Sequence, residues 1–123
     1  MSMQAGLATL AAVVVFAPSA HADCRVVNTS FRVHLNESVT STGVSTKGGA
    51  CGVRLRGSAT GHFTSTAITA RPAHGTLTQV DSSRFRYKPA AGFKGVDRYS
   101  FKVCGTNNSG SGCATLTYNI TVE

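Results

Sequence analysis

Leu116-Thr117-Tyr118-Asn119-Ile120-Thr121-Val122 alternates apolar and polar side chains without a break. Period two over such a run describes a strand with one face in a core and the other in water. Upstream, Tyr99-Ser100-Phe101-Lys102-Val103, Phe85-Arg86-Tyr87-Lys88, Val53-Arg54-Leu55-Arg56 and Phe31-Arg32-Val33-His34-Leu35 repeat it. Thr64 to Ala70 and Gly75 to Val80 have the β-branched content of strands with less contrast. Gly48-Gly49, Gly57, Gly61, Asp81-Ser82-Ser83, Pro89 to Gly95 and Gly105 to Gly112 punctuate the segments with turn chemistry. No helical periodicity appears. The expected fold is all-β, with about seven antiparallel strands in two sheets packed face to face. The Ser/Thr/Gly-rich stretch Ser38 to Gly49 reads as a mobile loop.

The N-terminus reads as a leader rather than as part of this fold. Leu7 to Ala17 is apolar, and Ala20-His21-Ala22 has the small-x-small pattern of signal-peptidase cleavage. A run of that length spans roughly 16 Å as a helix, about half of a hydrocarbon core, so a membrane anchor fits poorly. Residues 1–22 are therefore assigned to a signal peptide and residues 23–123 to one domain, exported to the periplasm or beyond. About 100 residues suffice for one core.

All four cysteines, Cys24, Cys51, Cys104 and Cys113, fall in the exported part. An even count in a short exported chain reads as disulfides, with three connectivities open. If the strands ending at Cys104 and beginning at Cys113 form a hairpin, those two cysteines face each other across its neck. Cys24 and Cys51 then pair by elimination. Neither C-x-x-C nor a histidine at zinc-ligand spacing argues for a metal.

From Arg71 onward the order of residues carries a family resemblance. Pro72-Ala73-His74-Gly75-Thr76-Leu77 precedes Phe85-Arg86-Tyr87-Lys88-Pro89, and then Phe93-Lys94-Gly95-Val96-Asp97-Arg98-Tyr99. This resembles the cadherin-like, immunoglobulin-like tandem repeats of bacterial surface and secreted proteins, here in a single copy. The resemblance implies a seven-stranded sandwich with an adhesive or spacer role and no catalytic site. The acidic linker residues that hold calcium between cadherin-like domains are absent, and two cysteine pairs are added. Asp97 is expected to accept backbone N–H groups within its own turn, with Phe93, Tyr99 and Phe101 in the core.

Catalytic chemistry finds little to build on. The carboxylates are Asp23, Glu37, Asp81, Asp97 and Glu123, two of them at the ends of the exported part and two in turns, which leaves no general acid and base pair. His34, His62 and His74 match no short metal motif, and no Gly-x-Ser-x-Gly elbow or phosphate-cradling glycine loop is present. The chain is read as non-enzymatic, with no cofactor.

Charge is the more informative feature. The chain holds 12 Lys and Arg against 5 Asp and Glu, a net charge of +7, and all of these residues follow Ala22. Such a surplus attracts polyanions. In the sandwich implied by the resemblance, the first, second and fifth strands share a sheet. Arg32, Arg54, Arg56, Arg84, Arg86 and Lys88 would then crowd one outer face. The expected partner is anionic: an acidic polysaccharide, lipopolysaccharide phosphates or an acidic protein. Nucleic acid fits less well, because no aromatic side chains sit among the outward positions. The alternative is an inhibitor or accessory factor presenting Ser38 to Gly49 or Gly105 to Gly112 to a protein.

Overall fold

The computed structural model describes residues 22–57 and 61–123; the expected leader, apart from Ala22, lies outside them. The strands are β1 (Asp23–Val26), β2 (Ser38–Thr46), β3 (Cys51–Arg54), β4 (His62–Ala70), β5 (Gly75–Asp81), β6 (Arg84–Pro89), β7 (Gly95–Asn107) and β8 (Gly110–Val122). They form a sandwich of two sheets, ordered β1-β2-β8-β7-β4 and β3-β6-β5. The immunoglobulin-like architecture is as expected. Eight strands form where about seven antiparallel ones were expected: β1 and β2 are additional, Phe31 to Leu35 is lost, and β2 runs parallel to β8.

The alternating segments form the core. Phe85 and Tyr87 from the smaller sheet, and Tyr99, Phe101, Val103, Leu116 and Ile120 from the larger, are all essentially inaccessible. Phe85 stacks on Phe101 with ring centroids 4.0 Å apart, and Tyr87 on Tyr99 at 5.5 Å. Tyr99 and Phe101 each reach Tyr118, at 5.2 and 5.5 Å. These rings join the layers, and each fully buried one contributes about 2–3 kcal/mol by area alone.

Two expectations need correction. Ser38 to Gly49 is mostly strand β2, followed by a turn at Lys47-Gly48-Gly49. Its inward positions are Ser41, Gly43 and Ser45, so the apolar half of the alternation is missing. A Cβ on Gly43 would meet the Arg25 carbonyl and Ile120 at 2.9 Å. Both buried hydroxyls are satisfied, Ser41 donating to Val27 O at 2.7 Å and Ser45 to Gly49 O at 2.6 Å. Phe31 to Leu35 is no strand. Val33–Leu35 is a 3-10 turn ended by Asn36 in the left-handed region (φ 53°), with Val33 buried and Leu35 half exposed.

Both disulfides form. Cys104 and Cys113 sit directly opposite one another in the β7–β8 ladder, and Cys24–Cys51 joins β1 to β3, hence one sheet to the other. The strands of the hairpin run on to Asn107 and from Gly110, so Gly105 to Gly112 holds only a two-residue turn. Neither loop proposed for presentation to a protein therefore survives as a loop. At the pole where the domain begins, Asp23 pairs with Thr46, and Glu123 N donates to Ser45 O. Both ends of the domain thus lie at the same pole.

Two buried phenols should behave oppositely. Tyr99 Oη has no hydrogen-bond partner among the described residues, and burial raises its pKa well above that of free tyrosine. Tyr87 Oη donates to Asp97 Oδ2 at 2.7 Å. Tyr99→Phe is expected to be neutral or to stabilise by up to ~1 kcal/mol, whereas Tyr87→Phe should cost ~1.5–3 kcal/mol. Urea denaturation of the two variants side by side checks the contrast.

Candidate anion-binding face

Strand β6 decides the character of the smaller sheet. Its alternation turns Phe85, Tyr87 and Pro89 inward and Arg84, Arg86 and Lys88 outward, about 6.6–6.8 Å apart along the strand. On one flank Arg54 lies opposite Arg84, and Gly52 lies opposite Arg86, so no side chain crowds Arg86 from that strand. On the other flank Thr78 and Thr76 lie opposite Arg86 and Lys88. The structure thus brings together Arg54, Arg84, Arg86 and Lys88.

Arg56 and Arg32 lie elsewhere. Arg56 follows the end of β3 and stands at the rim of the sandwich. Arg32 precedes the 3-10 turn, because Phe31 to Leu35 is not a strand of this sheet, and its Nε bonds Glu37 Oε1 at 2.6 Å. Arg32 and Arg56 instead line a small cavity of about 140 Å³ at the loop pole, with Phe31 and Phe63.

The four cations of the sheet are not equivalent. Asp81 Oδ2 holds Arg84 at 2.7 Å from both Nε and Nη2. That hydrogen bond, aided by the one from Ser83 N, pulls the Asp81 carboxyl down to about 2. Asp81 therefore stays ionised at any ordinary pH, and Arg84 stays neutralised. Lys88 Nζ donates to the Gly48 carbonyl at 2.7 Å, which draws it toward the pole. Arg54 and Arg86 meet no carboxylate among the described residues. Three of the five acids are ion-paired with other arginines: Asp23 with Arg25, Glu37 with Arg32 and Asp81 with Arg84.

The remaining buried acid, Asp97, is a structural clamp. It accepts from Ala73 N and His74 N at 3.0 and 3.1 Å, from its neighbour Arg98 N, and from Tyr87 Oη. Its partners come chiefly from the β4–β5 connection and the opposite sheet, so the expectation of a cap confined to its own turn was too local. Among the histidines, His34 Nδ1 is bonded to Asn107 Nδ2 and His74 stacks on Phe93. Among the described residues no three His, Cys, Asp or Glu side chains cluster as metal ligands would.

Sequence reasoning missed two cations. Lys47 and Lys94 join Lys88 around a cleft of about 560 Å³ at the pole of the chain ends, floored by Pro89, Phe93 and Val122, with the exposed Glu123 as its one acid. Reading β2 as a loop left Lys47 without an address. The positive strip therefore runs from Arg54 down β6 to Lys94. The larger sheet shows instead a hydroxyl-rich outer face, with Thr40, Thr117 and Ser100 in one row.

Comparison with known proteins places the fold. No match was found among curated proteins. Among solved structures, an endo-fucoidan hydrolase from glycoside hydrolase family 107 aligns at 18% identity, over 74% of this chain and 14% of that one, with a TM-score of 0.39. This chain thus spans only a small part of that protein's length, and a likeness so low transfers nothing. The family described as Bacterial Ig domain matches residues 25–121, nearly the whole sandwich, and the chain belongs to that family.

Proposed function

We propose that the protein is an exported, non-enzymatic binding module that engages an anionic partner through its smaller sheet. Arg54, Arg86 and Lys88 are the principal contacts, and Lys47 and Lys94 extend them. The observation that carries this reading is the distribution of charge: Asp23 and Glu37 are paired away from the sheet, Asp97 is buried, and the one acid at the sheet neutralises Arg84 alone, so that only Glu123 stands near the lysines of the strip. The one like-charged pair that faces across the ladder, Arg54 and Arg84, is relieved by Asp81, which leaves Arg54, Arg86 and Lys88 as the cations free to engage a partner. Membership of the family supports a binding or structural role, and the two disulfides are consistent with an oxidising compartment. No described helix is long and apolar enough to cross a membrane. An acidic polysaccharide, lipopolysaccharide phosphates and an acidic protein all present the required chemistry.

Binding to a heparin oligosaccharide, used as a generic polyanion, tests the reading. Affinity is expected to fall roughly tenfold or more between 50 and 200 mM salt, and the Arg86→Ser, Lys88→Ser double variant should lose most of it. Asp81→Asn should do the opposite. The amide keeps the turn acceptor for Ser83 N but releases Arg84, so affinity should rise about two- to fivefold at low salt. Equal binding by all three proteins would exclude the sheet as the contact surface.

A further inference from the structure

The two lateral seams of the sandwich are closed differently. On the β4–β5 side, Gln79 Nε2 donates to Thr66 Oγ1, and Thr66 Oγ1 donates to the Ser82 carbonyl. On the β1–β3 side the Cys24–Cys51 bridge pins the lower end, and above it lies a groove of about 650 Å³. One wall is residues 26–31, the other is residues 52–57, and Tyr118 forms part of the floor.

The wall at β3 is a strand edge. Strand β3 ends its sheet, and Leu55 N donates to Ser83 O at 2.7 Å. With Arg54 opposite Arg84, that bond fixes which residues turn their backbones toward β6, namely Cys51, Val53 and Leu55. In an antiparallel ladder the intervening residues face the other way. Gly52 and Arg54 therefore present their N–H and C=O groups to the groove, with no hydrogen-bond partner among the described residues. Gly52 adds no side chain, and a Cβ built there meets nothing within 4 Å.

We infer that this groove takes an extended acidic peptide segment of a partner protein, added as a fourth strand to the edge of β3. Donors and acceptors spaced two residues apart match the repeat of another strand. The β3 wall, residues 52–57, is long enough to lie beside about five extended residues. Charge selects the sequence: Arg54 and Arg56 line the groove, and no carboxylate does. The Tyr118 phenol, pushed up to about 12 by burial, stays a neutral hydrogen-bonding group at the floor. A glycan fits less well, because one face of Phe31 is already taken up by Phe63 and a sugar ring would make no use of the unpaired backbone edge. Only the preference for acid rests on the anion-binding reading above; the strand addition is independent of it.

The probe is a capped hexapeptide alternating Val and Glu, titrated into the isotopically labelled mature domain. The Gly52 and Arg54 amides should show the largest NMR shifts. A twin peptide N-methylated at alternate residues, unable to pair along one edge, should bind roughly tenfold or more weakly to the unaltered protein. Gly52→Pro removes an N–H that β6 does not use, and should weaken the Val/Glu peptide about five- to tenfold. Lys102→Ser removes an exposed cation from the outer face of the larger sheet, outside both the groove and the basic face, and should change peptide affinity less than about twofold. Equal affinity for the two peptides, or no binding at millimolar concentration, overturns the inference while leaving the sheet reading intact. Loss on Arg86→Ser with none on Gly52→Pro also overturns it, by placing the acid on the open face. An oligogalacturonate that shifts the Gly52 and Arg54 amides as the peptide does assigns the groove to a glycan and overturns it as well.

Discussion

Asp97→Ala is expected to lower the unfolding free energy by about 3–5 kcal/mol. The carboxylate is 2% exposed and accepts four hydrogen bonds, from Ala73 N, His74 N, Arg98 N and Tyr87 Oη. Removing it strands donors that water reaches poorly, and each unsatisfied buried donor costs about 1–3 kcal/mol. It also unties three parts at once: the β4–β5 connection, the start of β7 and the middle of β6. A domain with ~5–10 kcal/mol in total would be left near its unfolding threshold. Asp97→Asn should fall between, since one oxygen remains while the amide –NH₂ points at donors. Urea denaturation followed by circular dichroism measures both, and a loss below ~1 kcal/mol for the alanine variant would show that the clamp is dispensable.

The second large effect concerns the cysteines and their order. Cys24–Cys51 spans 27 residues of sequence and Cys104–Cys113 only 9. In the chain-entropy account the longer loop contributes about 3.5 kcal/mol and the shorter about 2.5 kcal/mol. Replacing Cys24 and Cys51 with serine should therefore destabilise more than replacing Cys104 and Cys113. Structure widens the gap. Cys104 and Cys113 are already held opposite each other by the long β7–β8 ladder, whereas β1 has four residues and one paired neighbour, β2. Without its bridge, β1 should exchange its amide protons far faster than β7 or β8, which amide exchange by NMR resolves directly. The reverse ranking of the two double variants would contradict this account.

Where the alternation carried large side chains, the fold could be read from residues alone. Phe85 and Tyr87, Tyr99 and Phe101, Leu116 and Ile120 announce their faces because burying them dominates the energetics. Strand β2 was hidden for the complementary reason: its inward positions are Ser41, Gly43 and Ser45, Gly43 lying too close to β1 and β8 for a side chain, and contrast vanishes. Phe31 to Leu35 had the opposite fault, good contrast over too short a run, with only Val33 buried. That error moved Arg32 off the sheet. Arg54, Arg84, Arg86 and Lys88 were placed from the alternation together with the strand order that the family resemblance implied. Their inequality was not legible, because Asp81 reaches Arg84 only through the geometry of the β5–β6 turn. The strand edge at Gly52 and Arg54 was equally out of reach, since knowing which backbone groups face outward requires knowing the neighbours.

The folding back of β1 alongside β2 decides how the module can carry load. With Asp23 and Glu123 on either side of β2, polypeptide attached at either end departs from one pole, roughly 10 Å apart. Tension between those attachments cannot pass lengthwise through the sandwich, as it does in a string of beads. It would meet the Cys24–Cys51 sulfur bridge after a single residue of β1 and be carried there into the opposite sheet. Such a body hangs beside a tether and leaves its far end free to turn toward whatever it meets.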